Sequence, residues 1–368
     1  MLKSISLQNF RSHKKSSFEF SETVTFIVGP NTSGKTNLLE AIGFLSTGKS
    51  VRGAKDEEVI RFGENIARVK ARLQTPERSD GGQGQVSDTE LEVVITSENP
   101  QSSFRPGRKY LVNGVSKSRI NFAGNISTVH FSPSDLDIIS GSPGLRRELL
   151  DDVLEQADRD YRSATSAYTK ALRQRNALLD SARESGVRNE KQFDYWDNLL
   201  INTGSVITAK RQEFIDFLNS SIKEVFDFVA TYDKSLISKQ RLQQYREAEI
   251  ASTVTLVGPH RDDFFIQMFN DEVGAAQDIK VFGSRGQQRL VILQLKLLQL
   301  SFMEKVLGER PLLLLDDIFS ELDEAHIKLV TEMIGNQQSI VTTTHEEFLD
   351  KKLLKQSSVI ELNNGKKS

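Results

Sequence analysis

Apolar residues at Leu2, Ile5, Leu7 and Phe10, then Phe18 and Phe20, recur at strand spacing on either side of the polar turn Arg11, Ser12, His13 and predict a β-hairpin. The run Val24, Phe26, Ile27, Val28 predicts a buried strand, and Asn37, Leu38, Leu39, Glu40, Ala41, Ile42 opens a helix. A basic-then-acidic loop follows Gly48. Strand patterns resume at Ala67 to Leu73 and Leu91 to Thr96, and Thr75 to Thr89 between them, poor in apolar residues and carrying GGQG, predicts a mobile hairpin loop. Phe104 to Ile120 predicts two strands about an Asn113-Gly114 turn, and Ile126 to Phe131 a further strand.

The period then changes. From Arg146 to about Tyr232 the spacing is helical, with Leu149, Val153, Leu154, Ala157, Tyr161 on one face and Phe214, Phe217, Leu218, Ile222, Val225, Phe226 on another. A break at Glu184, Ser185, Gly186 predicts two or three long helices folded back on each other, and the absence of sustained heptads argues against a long coiled coil. Strand character returns from Val254 to Phe269 on both sides of GPHRDD. After Gly286, Leu290, Val291, Leu293, Leu295, Leu297, Leu298 and Leu300 nearly encircle a helix, which implies burial. Leu312 to Leu315 and Ser339 to Thr344 read as buried strands.

Composition narrows the classes. The chain has 368 residues, 38% of them apolar, enough for two or three domains with a sizeable core. With no cysteine, disulfides, thiolate metal sites and cysteine catalysis are excluded. No apolar run approaches the roughly 20 residues of a membrane span, and the N-terminus is not that of a secretory signal, so the chain is predicted to be soluble and cytoplasmic. A net charge of −2 means that any nucleic-acid contact rests on local patches. Arg105, Arg108, Lys109, Lys117 and Arg119, interleaved with aromatics, are such a patch, to be read as a phosphate-backbone contact or as a solvated strand face; Arg146 and Arg147 form another.

The chemistry gathers at GPNTSGKT: Gly29, Pro30, Asn31, Thr32, Ser33, Gly34, Lys35, Thr36, with Asn37 following. Lying between a strand and a helix, it has the context a phosphate-binding glycine loop requires. Its glycines let successive amide N–H groups and the positive helix end converge on phosphate oxygens; Lys35 is placed for the β- and γ-phosphates and Thr36 for Mg²⁺. Arg11, at its turn, is placed to reach a bound phosphate or to remain solvated. Asp316 and Asp317, at the end of a buried strand, suit a Mg²⁺ acceptor and a residue that orients the attacking water. His345, at the end of the last buried strand, suits a γ-phosphate contact. Ser284 and Gly286 precede a second exposed helix end open to an anion.

In this order the motifs resemble the ABC ATPase head shared by SMC- and Rad50-type proteins. NFRSH, GPNTSGKTNLLEAI, DLDIISGSPGLRRELLD, GPHRDD, SRGQQR and LLLLDDIFSELD together are similar to the RecF-like family. The resemblance implies an α/β fold: an ABC-type P-loop ATPase head with a mixed sheet, flanking helices and an N-terminal antiparallel β subdomain, plus an inserted helical arm. The head would occupy 1–140 and 251–368, and the arm 141–250. It further implies that Ser284, Gly286 and Gln287 contact the γ-phosphate held by a second copy, that Asp323 crosses the same interface, and that ATP with Mg²⁺ joins a homodimer. Expected partners are double-stranded and gapped DNA, RecR with RecO, and a RecA-type recombinase, in repair of single-strand gaps. Asp317 stands where most ABC members have Glu and a clear Q-loop glutamine is missing, so a weak, DNA-stimulated, switch-like ATPase is expected. The alternative is the nucleotide-binding subunit of a transporter, against which Asp317 and the long helical insertion both speak.

Overall fold

The computed structural model describes residues 1–50, 56–76, 86–97, 106–270, 274–321, 324–344 and 357–362. Its strands are β1 (Leu2–Phe10), β2 (His13–Glu19), β3 (Val24–Val28), β4 (Ile66–Pro76), β5 (Val86–Thr96), β6 (Gly107–Val112), β7 (Val115–Lys117), β8 (Thr128–Phe131), β9 (Val229–Asp233), β10 (Asp263–Asn270), β11 (Ala275–Asp278), β12 (Leu312–Asp316), β13 (Ser339–Thr343) and β14 (Ser358–Glu361). Its helices are α1 (Lys35–Thr47), α2 (Asp56–Val59), α3 (Arg119–Phe122), α4 (Asp137–Ser140), α5 (Pro143–Ala157), α6 (Arg159–Ser185), α7 (Glu190–Ser220), α8 (Lys239–Gln244), α9 (Arg246–Ser252), α10 (Ile279–Phe282), α11 (Arg285–Leu307) and α12 (Glu324–Ile334). The chain forms two compact units, Met1–Pro133 with Leu307–Ser368, and Ser134–Val306. Among the described residues no helix is long and apolar enough to cross a membrane.

The first unit holds two sheets. One is antiparallel, in the order β2-β1-β4-β5-β6-β7; the other is parallel, in the order β14-β3-β13-β12-β8. Along β4 and β5, Ala67, Val69, Ala71, Leu73 and Leu91, Val93, Ile95 alternate inward and are buried, the period-two arrangement of a sheet with one covered face. The uneven spacing from Leu2 to Ile5 is absorbed where the β1–β4 register shifts between Leu2 and Ser4. Helix α1 contributes Leu38, Leu39, Ala41, Ile42, Phe44 and Leu45 to a core shared with β1, β4 and β5 and with Leu312, Leu314 and Ile340 of the parallel sheet. A helix covered by a sheet on each side must be apolar nearly all round, and α1 is.

The expected loop Thr75 to Thr89 is shorter in the structure. Pairing of Thr75 with Ser87 and Pro76 with Val86 extends the β4–β5 hairpin despite the polar sequence; 77–85 lie outside the described residues. The Asn113-Gly114 turn forms as expected, with φ 50° and 76°, the positive pair a two-residue hairpin demands.

In the second unit α6 and α7 form the predicted helical hairpin. Gly186 ends α6 at φ 68°, and the Asn189 side chain accepts from the Gln192 N–H to begin α7. Two expectations are corrected. Helical structure stops at Ser220, not near Tyr232: Ile222 is exposed, the Val225 N–H is taken by Gln294 Oε1 at 2.7 Å, and Tyr232 lies in β9 opposite Phe264. The strand expected before GPHRDD does not form either. There Thr255 N–H donates to Asn176 Oδ1 (2.9 Å) and Leu256 N–H to Glu249 Oε1 (2.9 Å), so side chains take up backbone groups that a ladder would otherwise have used. This unit, Ser134–Val306, also contains β10, β11 and most of α11, which lie beyond the 141–250 expected for the arm.

Buried charge organises its interior. Arg175, fully buried, donates Nε–H to Asp197 Oδ1 (2.6 Å), lies 2.7 Å from Glu249 Oε2 and donates to Thr255 Oγ1 (2.9 Å). Arg211 reaches Asp151, Asp262, the Tyr161 hydroxyl and the Pro259 carbonyl. Each guanidinium ties the helical hairpin to the segment carrying GPHRDD.

Candidate functional site

Residues 29–34 join β3 to α1 at the C-terminal edge of the parallel sheet, where such folds hold their ligands. Two glycines are required by space. A methyl group at Gly29 would stand 2.5 Å from the Leu362 carbonyl oxygen; at Gly34, whose φ is 98°, it would stand 2.9 Å from both His13 Nε2 and Ser12 Oγ. Lys35 Nζ donates back to the carbonyls of Gly29 (2.5 Å) and Pro30 (3.0 Å), so the ammonium lies across its own loop. Burial lowers its pKa, against which Asp317 and Asp316 act to raise it. The Ser33 hydroxyl is buried in the loop without a hydrogen-bond partner, an orphan that a phosphate oxygen would satisfy. Pro30, Asn31 and Thr32 are exposed, and Thr32 has φ 73°.

The second half of the site comes from two parallel neighbours. Asp316 ends β12 and is buried; it pairs in register with Thr342 on β13, the strand between β12 and β3. Thr36 Oγ1 donates to Asp316 Oδ1 at 3.1 Å, and Thr342 Oγ1 donates to the same oxygen at 2.7 Å. Adjacent ligands of an octahedral ion with bonds of about 2.1 Å lie roughly 3 Å apart, so Thr36 and Asp316 already stand at the spacing of a shared Mg²⁺. Asp317 adopts φ 51° and its N–H donates to the Thr342 carbonyl (3.2 Å) and hydroxyl (3.1 Å). Thr342 thus orients both aspartates. Sequence reasoning passed over it as one residue of a buried strand; a threonine directly across a parallel pair from a strand-end acid was the available signal.

The β1–β2 turn packs against the loop from the other side. His13 is buried with Nε2 3.1 Å from the Gly34 carbonyl and Nδ1 3.2 Å from Ser16 Oγ. The carbonyl only accepts, so Nε2 carries the proton and Nδ1 accepts from the serine. Burial holds the pKa of this imidazole below its ordinary value. Asn37 Nδ2 donates to Ser12 Oγ at 2.9 Å. Neither Ser12 nor His13 had been given a role beyond the turn. Arg11 is corrected: instead of pointing at a phosphate or standing in solvent, it forms a two-pronged pair with fully buried Glu40 on α1 (Nε–Oε2 3.0 Å, Nη2–Oε1 2.8 Å) and donates Nη1–H to the Glu58 carbonyl at 2.6 Å.

The α11 N-terminus is exposed at Ser284 and Gly286. Ser284 Oγ accepts from the Gln287 N–H (3.2 Å) while Gln287 Oε1 accepts from the Ser284 N–H (2.8 Å), a reciprocal capping box. A methyl group at Gly286 would meet only the Ser284 hydroxyl, at 3.9 Å, so its face is open.

The basic residues divide. Lys109 and Lys117 are exposed. Arg108 Nη1 donates to the Gly48 carbonyl (2.8 Å) with its guanidinium 5.2 Å from the Phe44 ring centre, and Arg119 Nη1 donates to the Thr47 carbonyl (3.2 Å). These two cations cap the negative end of α1, which corrects their reading as backbone-facing groups. Arg146 is corrected likewise: it is buried, pairs two-pronged with Asp263 (2.6 and 2.9 Å) and donates to the Ile138 and Gly141 carbonyls. Its neighbour Arg147 donates to the Asp262 carbonyl at 2.7 Å. Arg105, Asp323 and His345 lie outside the described residues.

Comparison with known proteins agrees with this geometry. The model of the RecF/RecN/SMC N terminal domain matches residues 1–368. "DNA replication and repair protein RecF" of Gloeobacter violaceus is 34% identical over 387 residues, covering 99% of this chain and 97% of that protein; its namesake in Moorella thermoacetica is 33% identical, covering 99% and 95%. A solved structure of the recombination mediator protein RecF with ATP superposes with a TM-score of 0.81 at 31% identity, covering 95% of this chain and 93% of that one. With the glycine loop, the paired strand-end acids and the capped second helix in place, the chain belongs to the RecF family within the RecF/RecN/SMC group.

Proposed function

We propose that this protein is an ATP-switched DNA clamp of recombinational repair, acting as a homodimer on double-stranded DNA and on junctions with single-stranded gaps. Residues 29–37 cradle the triphosphate, with Lys35 leaving its loop carbonyls for the β- and γ-phosphates. Thr36 and Asp316 would hold Mg²⁺, which would offset the charge that develops on the phosphate oxygens. Asp317 orients the water that attacks the γ-phosphorus, yielding ADP and phosphate. Its carboxylate is one methylene shorter than glutamate, and turnover is slow.

The observation that carries the dimer is the exposed, capped α11 N-terminus. The chain already has a complete phosphate loop, and this second anion-accepting end serves the nucleotide of another copy. Asp323 crosses the same seam and His345 reads the γ-phosphate. ATP then joins two copies and hydrolysis releases them. Among the described residues of the two basic patches, the exposed Lys109 and Lys117 serve the DNA backbone. The names of the relatives, a replication and repair protein and a mediator of the RecFOR pathway, support action with RecO and RecR in loading a RecA-type recombinase in the cytoplasm.

Light scattering with ATP, Mg²⁺ and a gapped duplex tests the reading. The wild type should dimerise with ATP. Ser284→Arg should bind ATP yet stay monomeric, and Lys35→Ala should neither bind ATP nor dimerise. A Ser284→Arg protein that dimerises like the wild type refutes the shared site.

A further inference from the structure

The segment that follows α2 ends in a turn beside the phosphate loop. Its backbone is fixed to β1: Phe10 bridges Ile60, and the Arg61 N–H donates to the Asn9 carbonyl at 2.8 Å. The Glu64 N–H donates to the Arg61 carbonyl at 3.0 Å across a turn with Gly63 at φ 84°, and Asn9 Nδ2 donates to Glu64 Oε2 at 3.1 Å. Arg61 Nη1 donates to the Ser12 carbonyl at 2.6 Å. The tip of this anchored turn is Phe62, whose relative exposure is 102%. A phenylalanine on a slack loop folds back onto apolar surface; here four hydrogen bonds hold the ring out in water. An aromatic ring kept in that position is suited to covering a flat apolar partner, which is how an aromatic ring gains most.

The neighbouring contacts indicate which partner. Arg61 touches Ser12, and the Ser12 hydroxyl accepts from Asn37. Asn37 follows Lys35 and Thr36 on the first turn of α1. When Lys35 serves the β- and γ-phosphates and Thr36 their Mg²⁺, the α-phosphate, sugar and base leave on the side of Asn37. The path Asn37, Ser12, Arg61 therefore runs from the phosphate site towards Phe62.

We propose that Phe62 is the stacking platform for the base of the bound nucleotide. The proposal rests on the nucleotide reading above. The turn supplies a π-face and no hydrogen-bond code, so the platform accepts any purine nucleotide, and the phosphates bind independently of it.

Calorimetry on the whole chain with Mg²⁺, titrating ATP and inorganic tripolyphosphate separately, tests it. Base–aromatic stacking is worth about 1–3 kcal/mol, so Phe62→Ala should weaken ATP roughly 5- to 150-fold and leave tripolyphosphate binding unchanged. A Phe62→Trp variant, made in a Trp196→Phe background so that its indole is the sole reporter, should retain ATP affinity and show emission quenched by ATP but not by tripolyphosphate. Phe62→Ala binding ATP as tightly as the wild type overturns the platform, and so does unchanged ATP affinity with lost self-association, which would assign the ring to a protein contact. A wild-type protein that binds neither ligand overturns the nucleotide reading and the platform together.

Discussion

Arg11 and Glu40 show how a single contact reassigns a residue. Glu40 is fully buried, and a buried carboxylate is tolerable only with a hydrogen-bonded cation at hand. Arg11→Ala removes both guanidinium hydrogen bonds from it, while the Ser50 hydroxyl still donates to Oε1, and should destabilise the protein by about 3 kcal/mol, read as a shift in the urea midpoint, with ATP affinity of the folded protein unaffected. Thr342 acts on the opposite side of the site. It donates 2.7 Å to Asp316 and accepts from the Asp317 N–H, so Thr342→Val removes the group that aims both acids. Losses of this kind usually amount to about 10- to 100-fold. The variant should therefore need correspondingly more Mg²⁺ for half-maximal hydrolysis, measured by phosphate release, while circular dichroism stays that of the wild type.

At the scale of elements, the glycine loop and the strand-end acids were readable because strand, loop and helix are contiguous in sequence and the chemistry repeats a spacing. The α11 N-terminus was readable for the same reason, and its capping box sharpens what it can do. Ser284→Ala should lower stability by about 1 kcal/mol through the lost cap, seen in thermal unfolding, and reduce ATP-dependent dimerisation less than Ser284→Arg, seen by light scattering. Elements whose backbone is satisfied from far away were not readable. Val254 to Val257 alternates like a strand, yet Asn176 and Glu249 take its N–H groups. Phe226 continues the helical pattern, yet α7 has already ended at Ser220. Arg108 and Arg119 sit in a basic strand segment but serve the C-terminal carbonyls of α1, a destination invisible in their own neighbourhood.

Across the whole molecule, buried polar networks set the response to acid. His260 donates from Nε2 to the Thr255 carbonyl (3.0 Å) and accepts at Nδ1 from the Tyr168 hydroxyl (2.7 Å), and burial lowers its pKa to about 4. The unfolded imidazole takes its proton near the ordinary value of 6.5, so between there and about pH 4 the unfolded chain binds more protons. Stability is retained above that window and lost as pH falls through it, with His13 acting in the same direction. The chemical-denaturation midpoint should drop between pH 6.5 and 4, and His260→Asn should flatten that fall. The sequence alone determined the phosphate loop, the acidic strand end, the helical insertion and the RecF-like resemblance, because each depends on spacing along the chain or on local backbone preference. Only the tertiary structure decided which arginines are buried in ion pairs, that Thr342 governs both acids, and that Phe62 stands bare beside the loop, because burial and hydrogen-bond partners are set by residues up to hundreds of positions away.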